Sequence, residues 1–230
     1  MWKAMRVLGR TLVWSGLLVL AFLVYQLYVT DLVAESSQEE AKVELVTQLD
    51  DRRQDLPAPE VVQQESPQPT SDPIQFYVEP LPEEGTPFAE ITIPKIELDA
   101  VVFSGVDRQT LKEGPGHMPW TPLPGQPGNA VISGHRTTYG RPFYRLDELV
   151  VGDRVEVETA IGLHVYEVRQ IEVVKPTDVW VTDPRPGAWL TLTTCNPRFS
   201  ARQRLVIFSE LVEGPNLRYA DLLLQREVQG

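Results

Sequence analysis

Cysteine is nearly missing from this 230-residue chain, with Cys195 the only one. No disulfide can close within the chain, and the one thiol has no partner to offer itself. Histidine is almost as scarce, at three. With so few soft ligands there is no His/Cys cluster at metal-binding spacing, and Glu156, Glu158 and Glu172 alternate with apolar residues as a solvated strand face does, so neither a zinc nor a calcium site is expected. No glycine-rich phosphate loop occurs, no internal repeat, and no basic surface interleaved with aromatics. Nucleotide cofactors and nucleic-acid partners are thereby set aside.

Long apolar runs are also absent, with one exception. Residues 11–29 carry no charge and suffice, at about 1.5 Å per residue, to cross a hydrocarbon core of about 30 Å. Lys3, Arg6 and Arg10 precede the run while Asp31 and Glu35 follow it, which puts residues 1–10 in the cytoplasm and the rest outside. A cleaved signal peptide is the competing reading. Its apolar part would be unusually long, and Leu32-Val33-Ala34 offers only one small residue where a small-x-small site is needed. An uncleaved anchor is expected.

The formal charge of −11 is a property of one segment. Asp31 to Pro87 holds fourteen acids against three bases, with many prolines and glutamines and few large apolar residues. Such a composition cannot bury enough surface to fold alone, so residues 30–87 are expected to be a disordered, extended stalk with about 40 Å of reach. A short helix over Glu39–Leu49, with Val43, Val46 and Leu49 on one face, is the one local structure it suggests.

Residues 88–213 have the size of a single domain and read as short strands. Ile91–Ile93, Ala100–Phe103, Asn129–Ser133, Arg154–Glu158, His164–Val168, Ile171–Val174, Trp189–Thr194 and Arg204–Leu211 are β-branched runs separated by Gly, Pro and Asp. An all-β sandwich or barrel is implied. Short helical turns are expected at Arg108–Lys112 and Pro142–Leu149, and the tail 214–230 contains a possible helix over Tyr219–Val228.

The chemistry concentrates around Cys195. Trp189 to Thr194 alternates apolar residues with threonines, and Asn196-Pro197 ends the run, leaving the thiol at a strand's end. A lone cysteine in a strand is ordinarily a small core residue. Beyond a membrane, however, an unpaired cysteine points to intermolecular pairing or a working thiol. A thiol acts as a nucleophile only as thiolate, which calls for a basic neighbour and for a group to hold the developing oxyanion. His135 ends the strand Asn129–Ser133 and is rim-placed like Cys195, whereas His117 and His164 fit structural roles. Arg204 opens the strand that returns after Cys195 and suits the oxyanion, with Arg198 and Arg202 left open as alternatives on spacing alone.

Thr191-Leu-Thr-Thr-Cys195, the upstream Gly134-His135 and the downstream Arg204 resemble the signature of sortases, the membrane-anchored cysteine transpeptidases of Gram-positive surfaces. Gly114-Pro-Gly-His-Met-Pro119, Pro124-Gly-Gln-Pro-Gly-Asn-Ala130 and Gly134-His-Arg-Thr-Thr-Tyr-Gly140 resemble class E in particular. The resemblance spans about Ala89 to Leu211. It implies an eight-stranded closed β-barrel with His135, Cys195 and Arg204 converging on a groove, and an enzyme without a cofactor. It also implies the reaction: secreted proteins with a C-terminal LAxTG or LPxTG sorting signal would be cut between Thr and Gly, and the acyl group passed to an amine of a cell-wall precursor or pilin lysine. In the family the thiol and imidazole act as a charged pair, a minor population at neutral pH. By the same likeness Tyr139 contributes to a preference for alanine at the signal's second position, and Thr193 and Thr194 shape the groove. Two other functions fit the pattern less well. Another thiol peptidase or an L,D-transpeptidase leaves Arg204 unexplained, and an anchored β-domain that merely binds a wall component leaves the three residues without a task.

Overall fold

A computed structural model of the chain describes residues 2–25, 30–62 and 73–229. Eight strands close into a barrel: β3 (Pro87–Ile93), β4 (Leu98–Ser104), β5 (Gly116–His117), β6 (Gly128–Ser133), β7 (Arg154–Thr159), β8 (Gly162–Val174), β9 (Ala188–Asn196) and β10 (Gln203–Glu213). Their order around the barrel is β10-β8-β7-β3-β4-β5-β6-β9. Alternation builds the inside, with Ile91, Ile93, Val155, Val157, Leu190 and Leu192 facing one core. Two details of the strand pattern differ from expectation. His164–Val168 and Ile171–Val174 are one strand, β8, whose pairing with β10 shifts register between Phe208 and Ser209, so a bulge stood where the pattern suggested a break. β5 is two residues long, too short to leave a periodic signal.

The threonines of β9 do not face water. Thr191 and Thr193 are buried because the crossover before β9 folds a 3-10 turn, Val179–Thr182, over their face, while Thr194, also buried, alternates to the side of Leu190 and Leu192. Asn129 of β6 fastens the cover: its Nδ2 donates to the carbonyls of Val181 (3.0 Å) and Asp183 (3.1 Å), and its Oδ1 accepts from Thr191 Oγ1 at 2.6 Å. The helical turns appear as α3 (Thr110–Glu113), a 3-10 turn at Leu146–Glu148 and a terminal helix α4 (Leu217–Gln229).

The expected disordered stalk is not what the structure shows. Thr30–Gln54 is a 25-residue helix, α2, and Glu60–Val62 pairs with Ile74–Phe76 as a β1–β2 hairpin. Helix α2 packs on the barrel through Ala34, Ala41, Leu45 and Leu49, all buried, the last three against Val101, Phe103 and Ala160. That face is offset from the one expected, since Val43 and Val46 are exposed. Alanine is a good helix former that lets a helix approach a sheet closely, and it carries little hydrophobic weight in a composition dominated by acids. Residues 26–29, the end of the expected span, and 63–72, within the expected stalk, lie outside the described residues. Trp2–Val24 forms helix α1, entirely exposed and long and apolar enough to cross a membrane.

Gln38 shows why α2 belongs on the barrel. β5 pairs with β4 only at Phe103 and Ser104, leaving the same edge of β4 open at Val101. The Gln38 carboxamide fills that gap: Oε1 accepts from Val101 N–H at 2.7 Å while Nε2 donates to the carbonyls of Val101 (3.2 Å) and Glu113 (2.9 Å). It takes the place of a strand residue. Lys42, bonded to Asp99 at 2.7 Å, is by contrast a partly exposed ion pair on the same helix. Replacing Gln38 by Leu is expected to cost about 1–3 kcal/mol, because the β4 amide and carbonyls lose their partner. Lys42→Ala should cost under about 1 kcal/mol. Urea unfolding of the full-length chain in detergent checks the pair, and equal losses would show that the strand edge gains nothing from Gln38.

Candidate active site

Strand β6 runs parallel to β9, with Ser133 opposite Thr193, and β10 runs antiparallel to β9, with Arg204 opposite Cys195. Parallel neighbours end at the same rim, and an antiparallel neighbour begins there. His135 just past β6, Cys195 at the end of β9 and Arg204 at the start of β10 therefore come from three adjacent strands to one place, with the thiol in the middle. All three line a groove of about 420 Å³. Val106, Leu111 and Met118 are among its apolar walls, as are Val174, Val179 and Val181 from the crossover, and Lys175 and Asp178 add one charge of each sign.

Local packing holds each member. Gly134 N–H donates to Thr193 O at 3.1 Å, and Thr194 Oγ1 donates to Gly134 O at 2.7 Å. The Thr194 hydroxyl is thus engaged with the backbone beside His135, although both threonines line the groove. A Cβ at position 134 would come within 2.6 Å of the Phe143 ring, so glycine lets Phe143 pack beneath the loop, where its N–H bonds His135 O at 3.1 Å. Burial lowers the imidazole pKa of His135 from its ordinary value. Cys195 is half-buried and unpaired.

Geometry separates the three arginines. Arg198 is held by Asp147 at 2.8 Å and lies 4.2 Å from the centre of the Tyr144 ring, and Arg202 is exposed. Arg204 lines the groove, steadied by Nη1 bonds to the carbonyls of Ala201 and Gln203, both 3.0 Å. No carboxylate pairs with it among the described residues.

Tyr139 lies behind the histidine, its ring 5.1 Å from that of His135. It faces a second cavity, of about 310 Å³, that Ala34, Gln38 and Arg141 also line. Tyr139, Gly140 and Arg141 all have positive φ, 53°, 73° and 51°. A left-handed tyrosine and arginine flanking a glycine make a costly turn, and α2 backs it: a Cβ on Gly140 would touch Ala34.

The site also contains a residue that the sequence did not single out. Arg136, next to His135, is buried, and its guanidinium bonds Cys195 O (3.2 Å), the Asn196 side chain (2.7 Å) and Asp147 (2.9 Å). Its position in Gly134-His-Arg136 is the only available signal, and an arginine's burial is not written in its neighbours. Among the described residues no group of three or more His, Cys, Asp or Glu side chains is placed to hold a metal. Glu158 pairs with Arg53 of α2 at 2.8 Å.

His117 and His164 are structural, both fully buried in the barrel wall. His117 Nε2 donates to Pro122 O at 2.9 Å, and His164 Nε2 meets Thr159 Oγ1 at 3.2 Å. Burial pushes both imidazoles down to about 4. The unfolded chain, with ordinary histidines near 6.5, binds more protons than the folded one between about pH 6.5 and 4. Stability therefore falls as pH drops through that window, by on the order of 3 kcal/mol for each ring. Melting of the full-length chain in detergent at pH 7 and pH 4.5 should show a clear loss at the lower pH, and His164→Gln should flatten the difference. A pH-independent midpoint would contradict buried neutral rings.

Comparison with known proteins gives consistent results. Residues 91–212 match the model of the sortase domain family. The chain is 30% identical over 226 residues to Sortase SrtE1 of Streptomyces coelicolor, covering 91% of this chain and spanning 58% of the length of that relative. The structure of sortase E from Streptomyces avermitilis superposes with a TM-score of 0.53 at 35% identity, over 57% of this chain and 91% of that one. Sortase E1 from Streptomyces coelicolor with a tripeptide in its active site gives 0.54 at 32% identity, over 56% and 90%.

Proposed function

The chain belongs to the sortase family, and from that membership we propose that it is a membrane-anchored cysteine transpeptidase using His135, Cys195 and Arg204. The observation that supports this reading is the β6–β9–β10 adjacency, which brings an imidazole, a thiol and a guanidinium that has no carboxylate partner among the described residues to one groove. Helix α1 is the anchor. Lys3, Arg6 and Arg10 hold its N-terminal end inside, and the barrel works outside the membrane, where secreted substrates pass.

The thiolate of Cys195 attacks the threonine carbonyl carbon of a Leu-Ala-x-Thr-Gly or Leu-Pro-x-Thr-Gly signal, and the carbonyl electron pair moves to oxygen. Arg204 donates to that oxyanion. As the oxyanion collapses, the Thr–Gly C–N bond breaks and the leaving nitrogen takes the proton from the His135 imidazolium, leaving a thioester and a neutral imidazole. An acceptor amine, from a wall precursor or a pilin lysine, then attacks the thioester. It gives its proton to His135, and the thiolate departs. The apolar walls of the groove suit the aliphatic part of the signal. Tyr139, through its contact with the His135 loop, favours alanine at the second position.

Because the reactive state needs thiolate and imidazolium together, the rate should be bell-shaped in pH: thiolate rises with pH, and imidazolium falls above the depressed His135 value. Full-length protein in detergent, mixed with each peptide and followed by intact-mass spectrometry, should show an acyl adduct on Cys195 that an added amine discharges. Cys195→Ala and His135→Ala should abolish turnover, and Arg204→Ala should lower kcat by about 10²–10³. Arg198→Ala should stay near wild type. Loss of activity in Arg198→Ala with Arg204→Ala intact would overturn the oxyanion assignment. No adduct, with a thiol that also resists alkylation, would return Cys195 to a structural role and favour a wall-binding domain.

A further inference from the structure

We propose that Arg136 is a positioning residue that fixes the spacing between His135 and Cys195. The proposal rests on the roles given to those two residues above. The backbone ladder between β6 and β9 gives out at Gly134, whose N–H makes its last bond to Thr193 O. His135 and Cys195 both lie beyond that point, where the strands are free to splay. Two side chains carry the connection onward: Thr194 reaches back to Gly134 O, and Arg136 reaches across to Cys195 O and Asn196 Oδ1. Arg136 follows the base in the chain while its guanidinium grips the backbone of the nucleophile. Movement of either rim segment is therefore passed to the other.

The energetics point the same way. The Arg136 side chain is 2% exposed, its partner Asp147 is 42% exposed, and its Nε has no acceptor. A buried guanidinium with one incomplete carboxylate contact and an orphaned N–H stabilises a fold less well than an apolar side chain of similar volume. What the arginine supplies is geometry: a rigid planar fork with Nη1 on the Cys195–Asn196 segment and Nη2 on Asp147, in the 3-10 turn Leu146–Glu148. Arg198 braces the far side of Asp147 at 2.8 Å and touches neither partner of the tie by any hydrogen bond described. Lys175, Asp178 and Arg204 share the groove with the pair, and Tyr139 lies against His135, so their charges are common to every variant below.

Full-length wild type, Arg136→Gln, Arg136→Lys and His135→Ala, all in detergent, are compared in two assays. In peptide turnover Arg136→Gln is expected to lose about a hundredfold in kcat with KM within about threefold, and Arg136→Lys to recover part of the loss. In iodoacetamide alkylation the pH dependence of Cys195 in Arg136→Gln is expected to shift toward that of His135→Ala, because an unregistered imidazole no longer senses the thiol. A lowered melting temperature with wild-type kcat and a wild-type alkylation profile would overturn the proposal, since a merely structural arginine predicts that combination. Should Arg136→Gln be unfolded at the assay temperature, Asp147→Asn carries the test. It keeps the buried cation but loosens its aim, with about a tenfold fall in kcat expected and the same displacement of the alkylation profile, and no change in either overturns the tie. Wild type that alkylates with a His135-dependent profile yet forms no acyl adduct counts against the transpeptidase and leaves the tie standing. Wild type that forms the adduct while Arg136→Gln matches it in both assays counts against the tie alone.

Discussion

The parallel pairing of β6 with β9 is the constraint from which the site follows. Parallel neighbours cannot be joined by a tight turn, so the chain between them must travel. Here it builds β7, β8 and the 3-10 cover on the way back to β9. The reward is that two carboxyl-terminal strand ends meet at one rim, and the antiparallel β10 starts at the same place. Histidine, cysteine and arginine thus converge because of strand polarity, before any side-chain contact is considered. Asn129 secures this arrangement from beneath by joining β6, β9 and the crossover through three hydrogen bonds.

Where the sheet stops supplying hydrogen bonds, side chains take over. Gln38 bonds the Val101 backbone on the open edge of β4. Asn216 does the same for Tyr77, accepting from its N–H at 2.8 Å and donating to its carbonyl at 2.9 Å, while also reaching Gly125 O. Thr194 and Arg136 extend the β6–β9 contact past its last backbone bond. Gln38, Thr194 and Arg136 act where barrel strands are short or pairing ends, and Asn216 acts where the chain leaves β2. A buried amide without a partner costs more than a good hydrogen bond returns, so these positions tolerate change poorly even though none reacts with anything.

Local signals gave an all-β sandwich or barrel with His135, Cys195 and an arginine near one rim, and it was the likeness to a known family that pointed to a closed eight-stranded barrel. Alternation marks β9 and β10 and the Asn196-Pro197 break marks the rim, while spacing left Arg198, Arg202 and Arg204 open until the strand register put Arg204 opposite Cys195. The bulge in β8 and the two-residue β5 were not legible, since neither has a period. Helix α2 was misread for a different reason. Its buried stripe uses two alanines and two leucines, and the acids around it set the average; the barrel that makes the stripe useful is some fifty residues away in sequence. Arg136 was invisible because burial of a charge is decided by what folds over it. Tyr139 could be placed near the site but not on a side of the histidine, and only the left-handed turn at 139–141 reveals that it backs the ring from the direction of α2.

The docking of α2 changes how the barrel would meet a membrane. A disordered stalk of that length would let the groove wander over tens of ångströms. With α2 fixed to β4 by Gln38 and to Asp99, Glu79 and Glu158 by Lys42, Arg52 and Arg53, the chain available between α1 and α2 is residues 25–29, about 18 Å when fully extended. An α1 that spans the bilayer therefore holds the barrel close to the surface. The same helix also supports the strained turn behind His135, with Ala34 against Gly140. Helix α2 and the turn 139–141 thus form one packing path that ends at the His135 ring, so the segment whose composition reads as a spacer bears on the placement of that histidine.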